Sequence, residues 1–293
     1  MQGLTSTAIT VLVAELSVAA GFGFAPDRIA RAVRSWREPV RILLLPSLGV
    51  LPYVVVAAAH QTFRWNWCAL YAALPIGAAW LLEQAAAADP EQRGNWRDAL
   101  ILLMLGLAVD LRRLDSAWPR GLEPLGKLLL VDAGLYGFLA IRRLDGTGFD
   151  FHPHWNDWKT GLRELAFFTP VVLLLGLALG FIHPHSNLPS VSDAALRWTA
   201  IFLFVAVPEE LFFRSWVQNL LERRVGRRAA LVIASVLFGL SHFNKRSAHF
   251  NWRYVLLATI AGVFYGRAWR EGRRVPASAI THTCVDWIWS WWF

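Results

Sequence analysis

The stretch "TAIFLFVAVPEELFFRSW", residues 199–216, decides how the chain is read. Its first half suits lipid, yet its second half carries two adjacent glutamates, Glu209 and Glu210, followed by Arg214. A charge inside a membrane helix costs on the order of 2.5–3.5 kcal/mol on insertion scales, so each of these groups needs a partner or a task.

The surroundings are of the same kind. Hydrophobic residues make up 56% of the 293 and charged residues 17%, with a mean hydropathy of +0.39. Apolar runs recur along almost the full length, and no polar stretch is long enough for a separate soluble domain. The 16 tryptophans fit this pattern, because tryptophan gathers where membrane meets water. An ordinary soluble domain is excluded, and an all-α, polytopic transmembrane helix bundle is predicted. At roughly 20 apolar residues per span, candidates lie near 4–25, 41–60, 66–88, 161–182, 197–219, 228–243, 253–270 and 275–293. Weaker runs near 98–111 and 124–141 bring the expectation to about 8–10 spans, with about ten preferred.

Basic residues orient these spans. The gap "PDRIARAVRSWREPVR" (26–41) holds Arg28, Arg31, Arg34, Arg37 and Arg41 and is expected on the cytoplasmic side. Alternation then places 142–160, "ERRVGRR" (222–228) and "RAWREGRR" (267–274) on that same side, and 183–196, which lacks Lys and Arg, outside. The basic gap at 112–127 also falls outside in this scheme, against the rule. Both termini are expected outside, and the first run, which no basic segment precedes, is expected to remain as an anchor. The net charge of +8 is assigned to topology and to anionic lipid headgroups, with no nucleic-acid partner. Segment 28–41 is read as a solvated topology signal, with binding of acidic lipid as the alternative.

Cys68 and Cys284 are too few for a disulfide framework or a thiolate metal site and are expected to be ordinary buried small residues. "HPHW" (152–155) and "HPH" (183–185) place prolines between histidines, which predicts loops rather than metal sites. "DWIWSWWF" (286–293) is expected to anchor a helix end, and Gly262 and Gly266 of "GVFYG" to permit close helix packing.

Topology leaves three polar clusters near the end of the chain unexplained. Glu210 and Arg214 lie four apart on one helix face, in the favoured acid-before-base order, and can neutralise each other. Glu209 points about 100° away and has no local partner, while Pro208 weakens the helix there. Phe238 shares a face with His242, and His282 with Asp286. Polar groups in spans usually face the bundle interior, so the clusters are expected to converge. A carboxylate without a partner, two imidazoles and a further carboxylate around one cavity are parts for activating water.

"EELFFR" (209–214), "FGLSH" (238–242) and "HTCVD" (282–286), with the glycine-bearing "IAGVFYG" (260–266) between the last two, resemble the EExxxR, FxxxH and HxxxN/D motifs of the CAAX protease and bacteriocin-processing (CPBP) family. The resemblance covers roughly 197–293. It divides the chain into amino-terminal helices of unassigned role (1–190) and CPBP-like core helices (191–293), expected as one continuous bundle. It implies a glutamic-type intramembrane endopeptidase similar to the Ras-converting CAAX endopeptidase, acting without a metal on a membrane-anchored or hydrophobic-tailed protein or peptide. In that scheme Glu209 and His242 activate a water, Glu210 and Arg214 hold the helix, and His282 and Asp286 stabilise the oxyanion. Asp286 departs from asparagine, because an ionised aspartate only accepts hydrogen bonds. It takes the donor role if protonated; otherwise it orients His282 or, through charge repulsion, raises the pKa of Glu209.

Other readings stay open. His242, His282 and Asp286 could form a three-ligand zinc site with a position left for water. A proton-coupled transporter would use the same residues as a relay, but no matching halves are visible. A non-catalytic membrane partner-binding protein is the third reading. The expected location is the bacterial inner (plasma) membrane.

Overall fold

The computed structural model describes residues 5–185, 189–245 and 249–293. Of the 183–196 gap, residues 186–188 therefore lie outside the described residues. The described chain is helical throughout, and its contacts divide it into two units, 1–145 and 146–293.

The first unit holds α1 (Ser6–Phe24), α2 (Pro26–Ser35), α3 (Val40–Ala59), α4 (Trp65–Ala88), α5 (Trp96–Asp110) and α6 (Glu123–Ile141). Helices α5 and α6 are the two weak runs of the sequence. Asn95 caps α5 through the Arg97 and Asp98 amides while Asp98 bonds back to the Asn95 amide, which satisfies donors that a helix start leaves orphaned. Helix α2 is an addition to the expected pattern. Its arginines suggested only a connecting gap, yet Pro26 suits a first turn, and Ala30 and Val33 are buried while Arg28, Arg31 and Arg34 stay exposed.

The second unit holds α7 (Trp155–Ala178), the stretch Val191–Leu240, α10 (Trp252–Gly272) and α11 (Val275–Trp292). The long stretch breaks at Gly226, where φ is 79° and ψ is 165°. Only glycine adopts that backbone freely, and the break divides the stretch into α8 (191–225) and α9 (227–240). Six apolar stretches among the described residues are long and apolar enough to cross a membrane: α1, α3, α4, α6, α7 and Val191–Leu240, which contains both α8 and α9. The protein is an integral membrane protein built as an all-helical bundle.

Two features hold the helices of the second unit together. At one end, Arg274 reaches Asp150 at 2.6 Å and Asp157 at 2.9 Å, and Arg273 reaches Glu222 at 2.6 Å and Asn219 at 3.1 Å. The starts of α7 and α11 and the end of α8 are thereby tied together. Burial opposes ionisation of Asp150, but its bonds to His152 and Arg274 outweigh that and hold its carboxyl down at about 2.

Along their length, α9 and α10 approach closely through small residues. A side chain at Gly262 would meet Ser235 at 3.0 Å, and one at Gly239 would meet the Val255 carbonyl at 2.6 Å. The small-residue spacing read in "GVFYG" thus packs as expected. The histidine triplets lie in irregular segments, and both cysteines are free.

Adding one methyl at Gly239 forces backbone apart, so Gly239→Ala is expected to destabilise the second unit by about 1–3 kcal/mol. Thermal unfolding in detergent measures this. Gly77 of α4, where an added methyl meets nothing within 4 Å, serves as the control and is expected to tolerate alanine without such a loss.

Candidate active site

Helix α8 starts at the Ser190 cap, whose hydroxyl accepts from the Asp193 amide at 3.1 Å. Through the apolar run the helix is not regular. Residues 202–206 and 211–218 make wider, i→i+5 hydrogen bonds on either side of Val207–Glu210. Pro208 has no N–H to give, and the widened turns redistribute the backbone bonds around it. Such π-type bulges recur at functional sites.

Glu210 and Arg214 are both fully buried, and the Arg214 Nε donates to Glu210 Oε2 at 2.9 Å. The expected pair therefore forms. Two more donors reach the same carboxylate from α11. Ser278 Oγ donates to Oε2, and His282 Nδ1 lies 2.9 Å from Oε1. The Arg214 guanidinium also sits 5.2 Å from the centre of the Phe238 ring, a cation–π contact. A buried ion of this kind is tolerated only when its remaining lone pairs are satisfied, and here two helices supply the donors.

Glu209, one residue earlier, is built differently. Its side chain is 36% exposed, and its Oε2 is buried without a hydrogen-bond partner. That oxygen lies 3.9 Å from His282 Nε2. His282 Nε2 also lies 3.5 Å from Asp286 Oδ2, one helical turn along α11. The imidazole is fixed from every side, stacked on Tyr265 at 4.6 Å and met edge-on by Phe238 at 5.7 Å. Because Nδ1 faces a carboxylate that only accepts, it carries a proton.

His242 stands at the end of α9. Its Nδ1 lies 2.8 Å from the Phe238 carbonyl and 3.2 Å from Ser241 Oγ, and its ring lies 4.9 Å from both Phe238 and Tyr254. A carbonyl only accepts, so Nδ1 donates and Nε2 keeps its lone pair in the neutral ring. His242, His282 and Asp286 line one cavity of about 780 Å³, mouth included, whose remaining walls are apolar side chains such as Phe168, Phe181, Leu257 and Trp289.

The three clusters therefore share one region. Glu209, Glu210, Arg214, His282 and Asp286 form a continuous set of contacts, and His242 joins it through the Phe238 ring, which touches both imidazoles. Glu209 and His242 do not bond to each other directly. Among the described residues, no group of three His, Cys, Asp or Glu side chains is gathered to hold a metal ion. Ser278 and Tyr265 were missed in the sequence. Ser278 had a signal, since Ser278, His282 and Asp286 recur every four residues along one helix face.

Truncating one partner leaves the other charge buried. Arg214→Ala is expected to cost about 3–5 kcal/mol. Replacing both partners with apolar residues, as in Glu210→Leu with Arg214→Met, is expected to recover a large part of that loss. Paired thermal-unfolding curves in detergent measure both effects.

The family model described as type II CAAX prenyl endopeptidase, Rce1-like, matches residues 190–288. Its span takes in α8 to α10, most of α11 and all three motifs. No curated protein and no solved structure matches the chain.

Proposed function

We propose that the protein, whose residues 190–288 match the Rce1-like CAAX endopeptidase model, is a glutamic-type intramembrane endopeptidase in which Glu209 and His242 activate water. The observation that carries this reading is the difference between two adjacent carboxylates. Glu210 is saturated by Arg214, Ser278 and His282, whereas Glu209 keeps a buried oxygen with no hydrogen-bond partner beside the imidazole. The first has a structural task, and the second is left for chemistry.

In the proposed step a water is held between the Glu209 carboxylate and the His242 Nε2 lone pair. Glu209 takes one proton as the water oxygen attacks the scissile carbonyl. The carbonyl π electrons move onto oxygen, and His282 Nε2–H donates to the oxyanion. Collapse expels the amine, which takes the proton from Glu209, and a carboxylic acid and an amine result. In this scheme both His282 nitrogens carry protons, since each faces a carboxylate oxygen. Asp286 then orients His282 and accepts from it, instead of donating as asparagine would.

The apolar cavity beside these groups supports a substrate with a hydrophobic segment, such as a membrane-anchored protein or a hydrophobic-tailed peptide. The basic ends of α8 and α10 support a cytoplasmic placement of that side, in a bacterial inner (plasma) membrane.

Glu209→Gln is expected to abolish cleavage while leaving the unfolding temperature unchanged. Mapping of protein termini in membranes expressing wild type or Glu209→Gln at matched levels checks this. New ends near hydrophobic segments, present only with wild type, identify proteolysis and its substrate together. Retained cleavage in Glu209→Gln removes the glutamic mechanism, and identical termini in both membranes shift the reading to partner binding or transport. Cleavage by wild type is expected to survive metal chelators; loss on chelation and recovery with added zinc would return the reading to a His242, His282 and Asp286 site.

A further inference from the structure

The basic segment after α1 borders a cleft in the first unit. This cleft of about 530 Å³ is walled by Arg34 of α2, by Arg142 and Arg143 just past α6, and by Pro90, Gln92 and Asp145. The acids nearby are already engaged. Glu83 pairs with Arg41 at 2.5 Å, and Asp89 and Asp98 both hold Arg142, at 2.6 and 2.9 Å. The Asp145 carboxylate accepts from Gln92 Nε2 at 3.2 Å.

Among the described residues, neither Arg34 nor Arg143 has an ion-pair partner. Partial burial first, and then the nearby Arg143 charge, hold the Arg34 guanidinium below its usual range. Arg143 sits at φ 53°, an uncommon conformation for a residue with a side chain, and its carbonyl is held there by Gln92 Nε2 at 3.0 Å. Two exposed guanidiniums thus line the same cleft as a third, Arg142, which is buried and held by Asp89 and Asp98.

We propose that this cleft binds a phosphate group, bridged by Arg34 and Arg143. Guanidinium forks match phosphate oxygens in pairs, and an anion bridging Arg34 and Arg143 would offset the Arg143 charge that acts on Arg34. Helix α2 shows which source is at hand. Its buried Ala30 and Val33 and its exposed stripe Arg28, Arg31 and Arg34 give it the form of a helix lying at the membrane surface, where phospholipid headgroups are concentrated. The site is separate from the catalytic residues, and the inference does not rest on the proposed proteolysis.

Thermal unfolding of the full-length protein in detergent tests it, with added phosphatidylglycerol, phosphatidylcholine or inorganic phosphate. Phosphatidylglycerol is expected to raise the unfolding temperature of wild type, and more so than phosphatidylcholine. Arg34→Ala and Arg143→Ala are each expected to weaken its binding about fivefold, and the double variant to lose the shift. Arg28→Ala with Arg31→Ala, on the same stripe but outside the cleft, is expected to keep most of it. An equal loss in that control pair, or a full shift in the cleft double variant, would overturn the site. Should the double variant unfold before measurement, native mass spectrometry counts the phosphatidylglycerol retained by Arg34→Gln and by wild type. Fewer retained lipids in Arg34→Gln support the site, and equal numbers overturn it. A shift with inorganic phosphate that also depends on Arg34 and Arg143 assigns the cleft to free phosphate. No shift with any of the three ligands removes the proposal.

Discussion

The Glu210 carboxylate is the constraint on which the second unit turns. A charge with no solvent exposure in a membrane helix is tolerable only if donors surround it, and one helix alone cannot supply enough of them. Arg214 comes from the same helix; Ser278 and His282 come from α11. Satisfying one side chain therefore fixes how far α11 slides along α8 and which face it presents. Once Ser278 is in place, His282 one turn later must meet Glu210, and Asp286 one turn later again must stand beside His282.

The same constraint separates two neighbouring glutamates. Because Glu210 claims the interior face, Glu209 is turned away by about 100° along an ideal helix, and the widened turns around Pro208 loosen the backbone between them. The close approach of α9 and α10 at Gly239 and Gly262 has a related consequence. It brings Phe238 near enough to contact Arg214, His242 and His282 at once. One phenylalanine thus links the ion pair to both imidazoles, which explains in physical terms why an aromatic residue four positions before His242 suits this site.

Much of this was legible in the residues. Hydropathy and tryptophan content predict a membrane bundle, and the four-residue spacings within Glu210–Arg214, Phe238–His242 and His282–Asp286 predict shared faces, all of which the structure displays. What could not be read is which face meets which. Nothing local in α11 says that His282 Nδ1 bonds to Glu210, or that Tyr265 of α10 stacks on its ring, because both depend on how far helices distant in sequence slide past each other. Helix α2 escaped for a different reason. Five arginines in sixteen residues read as solvent, yet only one narrow face, at Ala30 and Val33, needs cover. Arg34 and Arg143 are far apart in the chain, so their cleft had no signal in either segment alone.

The aspartate at 286, where the family pattern allows asparagine or aspartate, has a cost and a use that follow from the arrangement. Counting Glu209, Glu210 and Asp286 against Arg214 leaves two negative charges among apolar helices if His282 is neutral, and one if it carries a second proton. Asparagine would remove one charge but also one acceptor from Nε2. If both nitrogens are protonated, as the proposed mechanism has it, Glu210 braces Nδ1 at 2.9 Å and Asp286 stands 3.5 Å from Nε2, with Glu209 3.9 Å from that same nitrogen. In the proposed mechanism a donor held this way would be preorganised for a negative oxygen forming beside it, so that little rearrangement remains when charge develops.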